Sequence, residues 1–69
     1  MMTIEFLDHG ISRWEWGCEV SDLGSQYNVT IASMTDWCED QFDIEFYRIF
    51  NRFYFWNEDQ RTLFKLRWS

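Results

Sequence analysis

Proline is absent from this 69-residue chain, glycine occurs three times, cysteine twice and histidine once. A chain so poor in proline and glycine has little room for linkers or disordered tracts, which those residues dominate. Two cysteines, Cys18 and Cys38, fit neither a disulfide-dense secreted scaffold nor a zinc site. Tetrahedral zinc takes four ligands, mostly as C-x-x-C or H-x-x-x-H pairs, and neither pair occurs. No glycine-rich phosphate loop, EF-hand spacing or D-x-D pair is present, so no metal and no cofactor is expected. Basic residues are scarce over most of the chain: residues 1–47 carry ten acidic side chains and only Arg13 as a base, a net of −9. With a total of −6, the chain lacks the Lys and Arg that displace counterions from phosphate, and direct nucleic-acid binding is not expected. No run approaches the length of a membrane span, and no basic, apolar leader suggests export. The expected setting is therefore a reducing cytoplasm with two free, buried thiols, a Cys18–Cys38 bridge being the alternative.

Aromatics are abundant, at 22% of residues. One domain over residues 1–69 is expected, and a chain this small buries only roughly 60% of its unfolded surface. Heavy core residues compensate, since each buried aromatic removes about 150–250 Å² from water. The stretch Ile44–Trp68 holds nine of the fifteen aromatics and five of the six Lys and Arg residues.

The periodicities place the elements. Thr3–Asp8 alternates as a first strand, and Asp8-His9-Gly10 is turn chemistry. Over Arg13–Val20, Trp14, Trp16, Cys18 and Val20 alternate with Arg13, Glu15, Gly17 and Glu19, the pattern of a strand covered on one side; Gly17 marks a bulge or a close backbone approach. After a Ser21–Gln26 loop, Tyr27, Val29 and Ile31 alternate as a third strand. The Asn28-Val29-Thr30 acceptor pattern lies in it and is read as chance. Ser33 is a good N-cap for a helix over 34–42, with Asp36, Glu39 and Asp40 in its early turns, where the dipole favours anions, and Met34, Trp37, Cys38 and Phe42 inward. Asp43–Phe50 fits a strand with Ile44 and Phe46 inward or a helical turn continuing through Phe46, Ile49 and Phe50, and reads best as an extended or irregular connection; Asn51-Arg52 reads as a turn and Phe53–Trp56 as a strand. Asn57 then caps a second helix, with Glu58 and Asp59 in its first turn, Gln60 at the reciprocal capping position, and Leu63 and Phe64 inward. Phe64–Trp68 also alternates, so a short extended tail is an alternative to its last turns. The expected architecture is α+β, a small antiparallel sheet of three to four strands with two short helices packed on one face.

Two pieces stand out together: the helix Trp37-Cys38-Glu39-Asp40-Gln41-Phe42, and Phe53-Tyr54-Phe55 followed by Asn57-Glu58-Asp59 and Phe64-Lys65-Leu66-Arg67-Trp68. This combination resembles small uncharacterised proteins of tailed bacteriophages, which often end in an aromatic strand, an acidic helix start and F-x-L-R-W. The resemblance spans about half the chain and rests on packing residues. It departs at Asp43–Arg52, which is aromatic and glycine-free where the phage proteins often carry a glycine-rich loop. It implies a viral protein in the host cytoplasm and brings no catalytic residues with it.

Catalysis is not expected. His9 lies in a turn and both thiols on apolar faces, so no nucleophile has a base within reach. Glu39-Asp40 and Glu58-Asp59 serve helix starts. In Phe53-Tyr54-Phe55-Trp56 all four residues are aromatic, and a strand cannot point them all at a one-sided core. Either the outward pair lies under Asp43–Phe50 or it forms a patch. Trp and Tyr bordered by Arg are typical of binding hot spots. The expected contact for a protein partner in the host cell, with inhibition as a possible outcome, is Tyr54 and Trp56 with Arg52 and Arg48. A homodimer, or a self-assembling structural component of the phage, would use the same patch. The alternative is a nucleic-acid mimic whose acidic face of Glu15, Glu19, Asp36, Glu39, Asp40 and Asp43 enters a basic groove of a DNA- or RNA-binding protein. Aromatics among Arg48, Arg52, Arg61, Lys65 and Arg67 also suggest a platform for single-stranded nucleic acid, which the net charge opposes.

Overall fold

The computed structural model describes residues 2–69. In chain order it has strands β1 (Thr3–Phe6) and β2 (Trp16–Ser21), a 3-10 turn (Gly24–Gln26), helix α1 (Tyr27–Phe42), strands β3 (Phe46–Ile49) and β4 (Arg52–Phe55), and helix α2 (Glu58–Trp68). The sheet is antiparallel throughout, in the order β1-β2-β4-β3. Both helices pack on one of its faces, the expected α+β arrangement. The core lies between the layers: Ile4, Cys18, Val20, Phe53 and Phe55 from the sheet, Ile31, Met34, Cys38 and Phe42 from α1, and Phe64 from α2.

One expected element is replaced. Tyr27–Ala32 is not a third strand but the first turns of α1, which runs sixteen residues. Tyr27, Ile31, Met34, Cys38 and Phe42 recur at helical spacing and form one inward stripe, and this longer pattern prevails over six residues of alternation. Val29, inward in a strand, is left 65% exposed. The same change reverses the helix electrostatics. Ser33 is mid-helix, and Glu39, Asp40 and Asp43 occupy the carboxyl end, where no basic residue offsets the dipole.

Other expectations are met or adjusted locally. Trp16, Cys18 and Val20 share the core face, but β2 starts only at Trp16, so Trp14 leaves that row and turns to the opposite side of the sheet. Asp43–Phe50 is extended in its second half, which is β3 and turns Phe46 toward the core, whereas Ile44 faces solvent and the segment lies in the sheet instead of over it. The capping box of α2 forms: Asn57 Oδ1 accepts from the Gln60 N–H at 2.9 Å while Gln60 Oε1 accepts from the Asn57 N–H at 3.3 Å. The helix continues to Trp68 with Lys65 and Arg67 in its last turn, so there is no extended tail, and Leu63 faces solvent instead of the core. Cys18 and Cys38 are free and buried. Burial pushes the Cys18 thiol up to about 12 and the Cys38 thiol higher still. Among the described residues, no helix is long and apolar enough to cross a membrane.

Candidate protein-binding site

The sheet face turned away from the helices has its own aromatic layer. Glu19, Gly17, Arg52, Tyr54 and Tyr47 alternate onto it, because their strand neighbours enter the core. Tyr54 lies flat across Gly17, where a Cβ would stand 2.9 Å from its ring and 3.2 Å from Leu7. The close approach anticipated at Gly17 is therefore real, and its purpose is to seat a tyrosine. Tyr54 is only 1% exposed.

Around it, Leu7–Glu15 folds over the same face. Ile11 and Trp14 close a two-residue turn by exchanging backbone hydrogen bonds of 3.0 and 2.8 Å. Ser12 takes φ +55° within that turn. The Trp14 ring stacks on Tyr47 with centroids 6.3 Å apart and meets Trp56 edge to face at 4.8 Å. Such aromatic pairs add about 0.5–1.5 kcal/mol each beyond the area they bury.

Beside these rings opens a cleft of about 420 Å³ lined by Ser12, Arg13, Trp14, Ile44, Glu45 and Trp56. The Arg13 guanidinium stands 5.6 Å from the Trp56 ring, within cation–π range. On the opposite lip, a tight turn ends α1: the Glu45 N–H donates to Phe42 O at 3.0 Å, and Asp43 holds φ +57°, ψ −116°. That turn leaves Ile44 80% exposed. Glu45 is fixed from below, its Oε1 accepting from Gln60 Nε2 at 2.9 Å. Gln60 Oε1 also accepts from the Trp56 N–H at 3.0 Å, so one buried glutamine steadies both lips and the helix start. Each lip thus contains a non-glycine residue at positive φ, a conformation costing roughly 1–3 kcal/mol that persists where surroundings impose it and clusters at functional sites.

Of the four residues expected to form the contact, only Trp56 lines this cleft, at 43% exposure. Tyr54 is buried and cannot touch a partner. The outward pair is thus divided: Tyr54 is buried against Gly17 and Trp56 stays accessible. Arg52 lies on the same face but pairs with Glu19 at 2.9 Å. The Glu19 carboxylate, and after it the Tyr54 hydroxyl, raises the Arg52 pKa above its ordinary value. Arg48 alternates onto the helix side, where Nη1 donates to Phe50 O at 2.8 Å, and so is separated from the other three by the sheet. The expected acidic face divides likewise. Asp36, Glu39, Asp40 and Asp43 form a stripe along the outer side and end of α1, whereas Glu19 lies on the far face of the sheet and Glu15 precedes β2.

The residues not anticipated are Arg13, Trp14, Ile44 and Phe50. Phe50 heads the two-residue turn between β3 and β4 at φ +53° and is 76% exposed. A turn of that type takes glycine there by preference. The tip is held rigidly all the same, because Asn51 Nδ2 donates to Val20 O at 2.7 Å and Asn51 O accepts from the Val20 N–H at 2.9 Å. A bulky, solvent-facing aromatic at a glycine position was the available signal, but it becomes visible only once the turn is located. Among the described residues, no cluster of three or more His, Cys, Asp or Glu could hold a metal ion. The chain has no match among protein-family models, curated proteins or solved structures.

Proposed function

We propose that this chain is a non-enzymatic protein-binding domain whose contact surface is the aromatic cleft on the helix-free face of the sheet. One observation carries the proposal: Trp56, Trp14 and Ile44 stand partly or largely open around a rigid cleft with Arg13 over the Trp56 ring. Trp and Arg are the side chains that dominate binding hot spots, and a preformed, braced cleft reduces the ordering cost of association. The available chemistry agrees. Both thiols are buried and kept protonated, and His9 is exposed beside Asp8 at 3.4 Å, away from either thiol's core position. If the chain belongs to a phage, the partner is a protein of the host cell or of the phage, and occupation of the cleft would act by blocking that protein. The mimic alternative is less well supported, because its six acids do not share one face.

Affinity capture from a host lysate, followed by mass spectrometry, tests the proposal when wild type is compared with Ile44→Ser/Trp56→Ser. A protein retained by wild type and lost by the variant at equal folded concentration is the expected result. Identical captured sets would reject the cleft as the contact.

A further inference from the structure

β3 is an edge strand, and its unpaired side is defined by the hydrogen bonding of its neighbours. The Val20 N–H bonds to Asn51 O, so odd-numbered residues from Asn51 onward direct their backbone groups at β2. Arg52 and Tyr54 therefore bond toward β3, where their register partners are Ile49 and Tyr47. Alternation leaves the N–H and C=O of Phe46 and Arg48 pointing outward, away from the sheet. Proteins usually blunt such an edge with proline, a bulge, charged side chains, a very short strand or a covering element. β3 has no proline; its four-residue length and the single charge of Arg48 are its only such devices among the described residues, and Arg48 is drawn away from the edge by its bond to Phe50 O.

What flanks the edge specifies an occupant. On the helix side, a groove of about 350 Å³ runs between β3 and α1, lined by Asp36, Glu39 and Thr35 of α1 and by Arg48. Arg48 is turned toward the hairpin tip by its bond to Phe50 O. The carboxyl end of α1, with Glu39, Asp40 and Asp43 and no compensating base, adds negative potential along the same side. On the other side, Tyr47 presents a half-open ring stacked on Trp14. The opposite edge, β1, differs: there Arg61 and Lys65 stand over the Phe6 ring at 3.9 and 5.0 Å and would repel a cation.

We propose that the free edge of β3 accepts an extended, basic segment of a partner protein as a fifth strand. Its backbone pairs with Phe46 and Arg48. Its alternate side chains are basic toward Asp36 and Glu39 and apolar toward Tyr47. In this mode main-chain bonds supply affinity and the alternating side chains supply choice of partner. A second copy of this chain is disfavoured, because a two-fold pairing would bring two acidic α1 helices together. The site goes beyond the aromatic cleft and does not include Trp56.

The test uses the intact chain and a capped peptide alternating lysine and valine, with its glutamate–valine counterpart as control. Expected results are saturable binding of the lysine peptide and slowed hydrogen exchange at the Phe46 and Arg48 amides. Asp36→Asn/Glu39→Gln should weaken binding about tenfold, which corresponds to about 1.4 kcal/mol. Arg48→Pro, which removes one outward N–H from an edge that tolerates proline, should abolish it. Equal binding of the glutamate peptide, binding without protection of those two amides, or protection arising from self-association in sedimentation without peptide would each overturn the proposal.

Discussion

Positive-φ residues carry much of the information in this glycine-poor chain. Ser12, Asp22, Asp43 and Phe50 all adopt the left-handed region, and Gly24 is the only glycine that does so. Phe50 is the most telling, since its ring gains little from burial while its backbone bears the strain. Phe50→Gly should raise stability by about 0.5–1 kcal/mol in thermal or urea denaturation. A loss of stability would mean that the ring packs within the fold. Gly17 has the opposite character: Gly17→Ala should cost about 1–3 kcal/mol, because the added methyl meets a buried, immovable ring and not the end of a flexible side chain. Cys18 and Cys38 give a pH test. Their folded-state pKa values are raised above the ordinary value of 9.0, to about 12 for Cys18. The stability they contribute is complete below about pH 9 and declines above it, as unfolded thiols ionise while folded ones stay protonated. Native protein should accordingly resist thiol-modifying reagents at pH 8 and react fully in denaturant.

At the scale of elements, the two helices form a contrasting pair. α2 has its acids, Glu58 and Asp59, at the amino end and its bases at the carboxyl end, whereas α1 has acids at its carboxyl end. Asp40→Lys should therefore stabilise the fold, and Asp59→Lys destabilise it, each by about 0.3–1 kcal/mol at low salt, with both effects shrinking as salt is added. These helices also show what the sequence makes legible. α2 could be read almost residue by residue because its start is encoded locally, by Asn57 and Gln60. α1 has no such cap, since Gln26 makes no side-chain bond at its start, and its first turns imitate a strand. Ser33, a good cap in isolation, puts the boundary seven residues late and so places the acids at the wrong end. The site was legible in part. Trp56 was identifiable because four consecutive aromatics exceed what one sheet face can bury. Arg13, Trp14 and Ile44 join it only through the fold-back of Leu7–Glu15 and the turn at Asp43, neither of which has a periodic signature.

For the molecule as a whole, two faces of one thin sheet do different work. The helix side closes a core of aromatics around two thiols. The other side buries Tyr54 against Gly17 and leaves Trp56 and Ile44 at an open cleft. That division is the central claim, and melting and partner capture measured together on the same variants test it most directly. Tyr54→Ser should lose about 3–5 kcal/mol, enough to unfold a domain of this size. Ile44→Ser/Trp56→Ser should stay folded, losing no more than about 2 kcal/mol, and lose its partner. A folded Tyr54→Ser, or an Ile44→Ser/Trp56→Ser variant that unfolds or still captures the wild-type partner, would contradict the account.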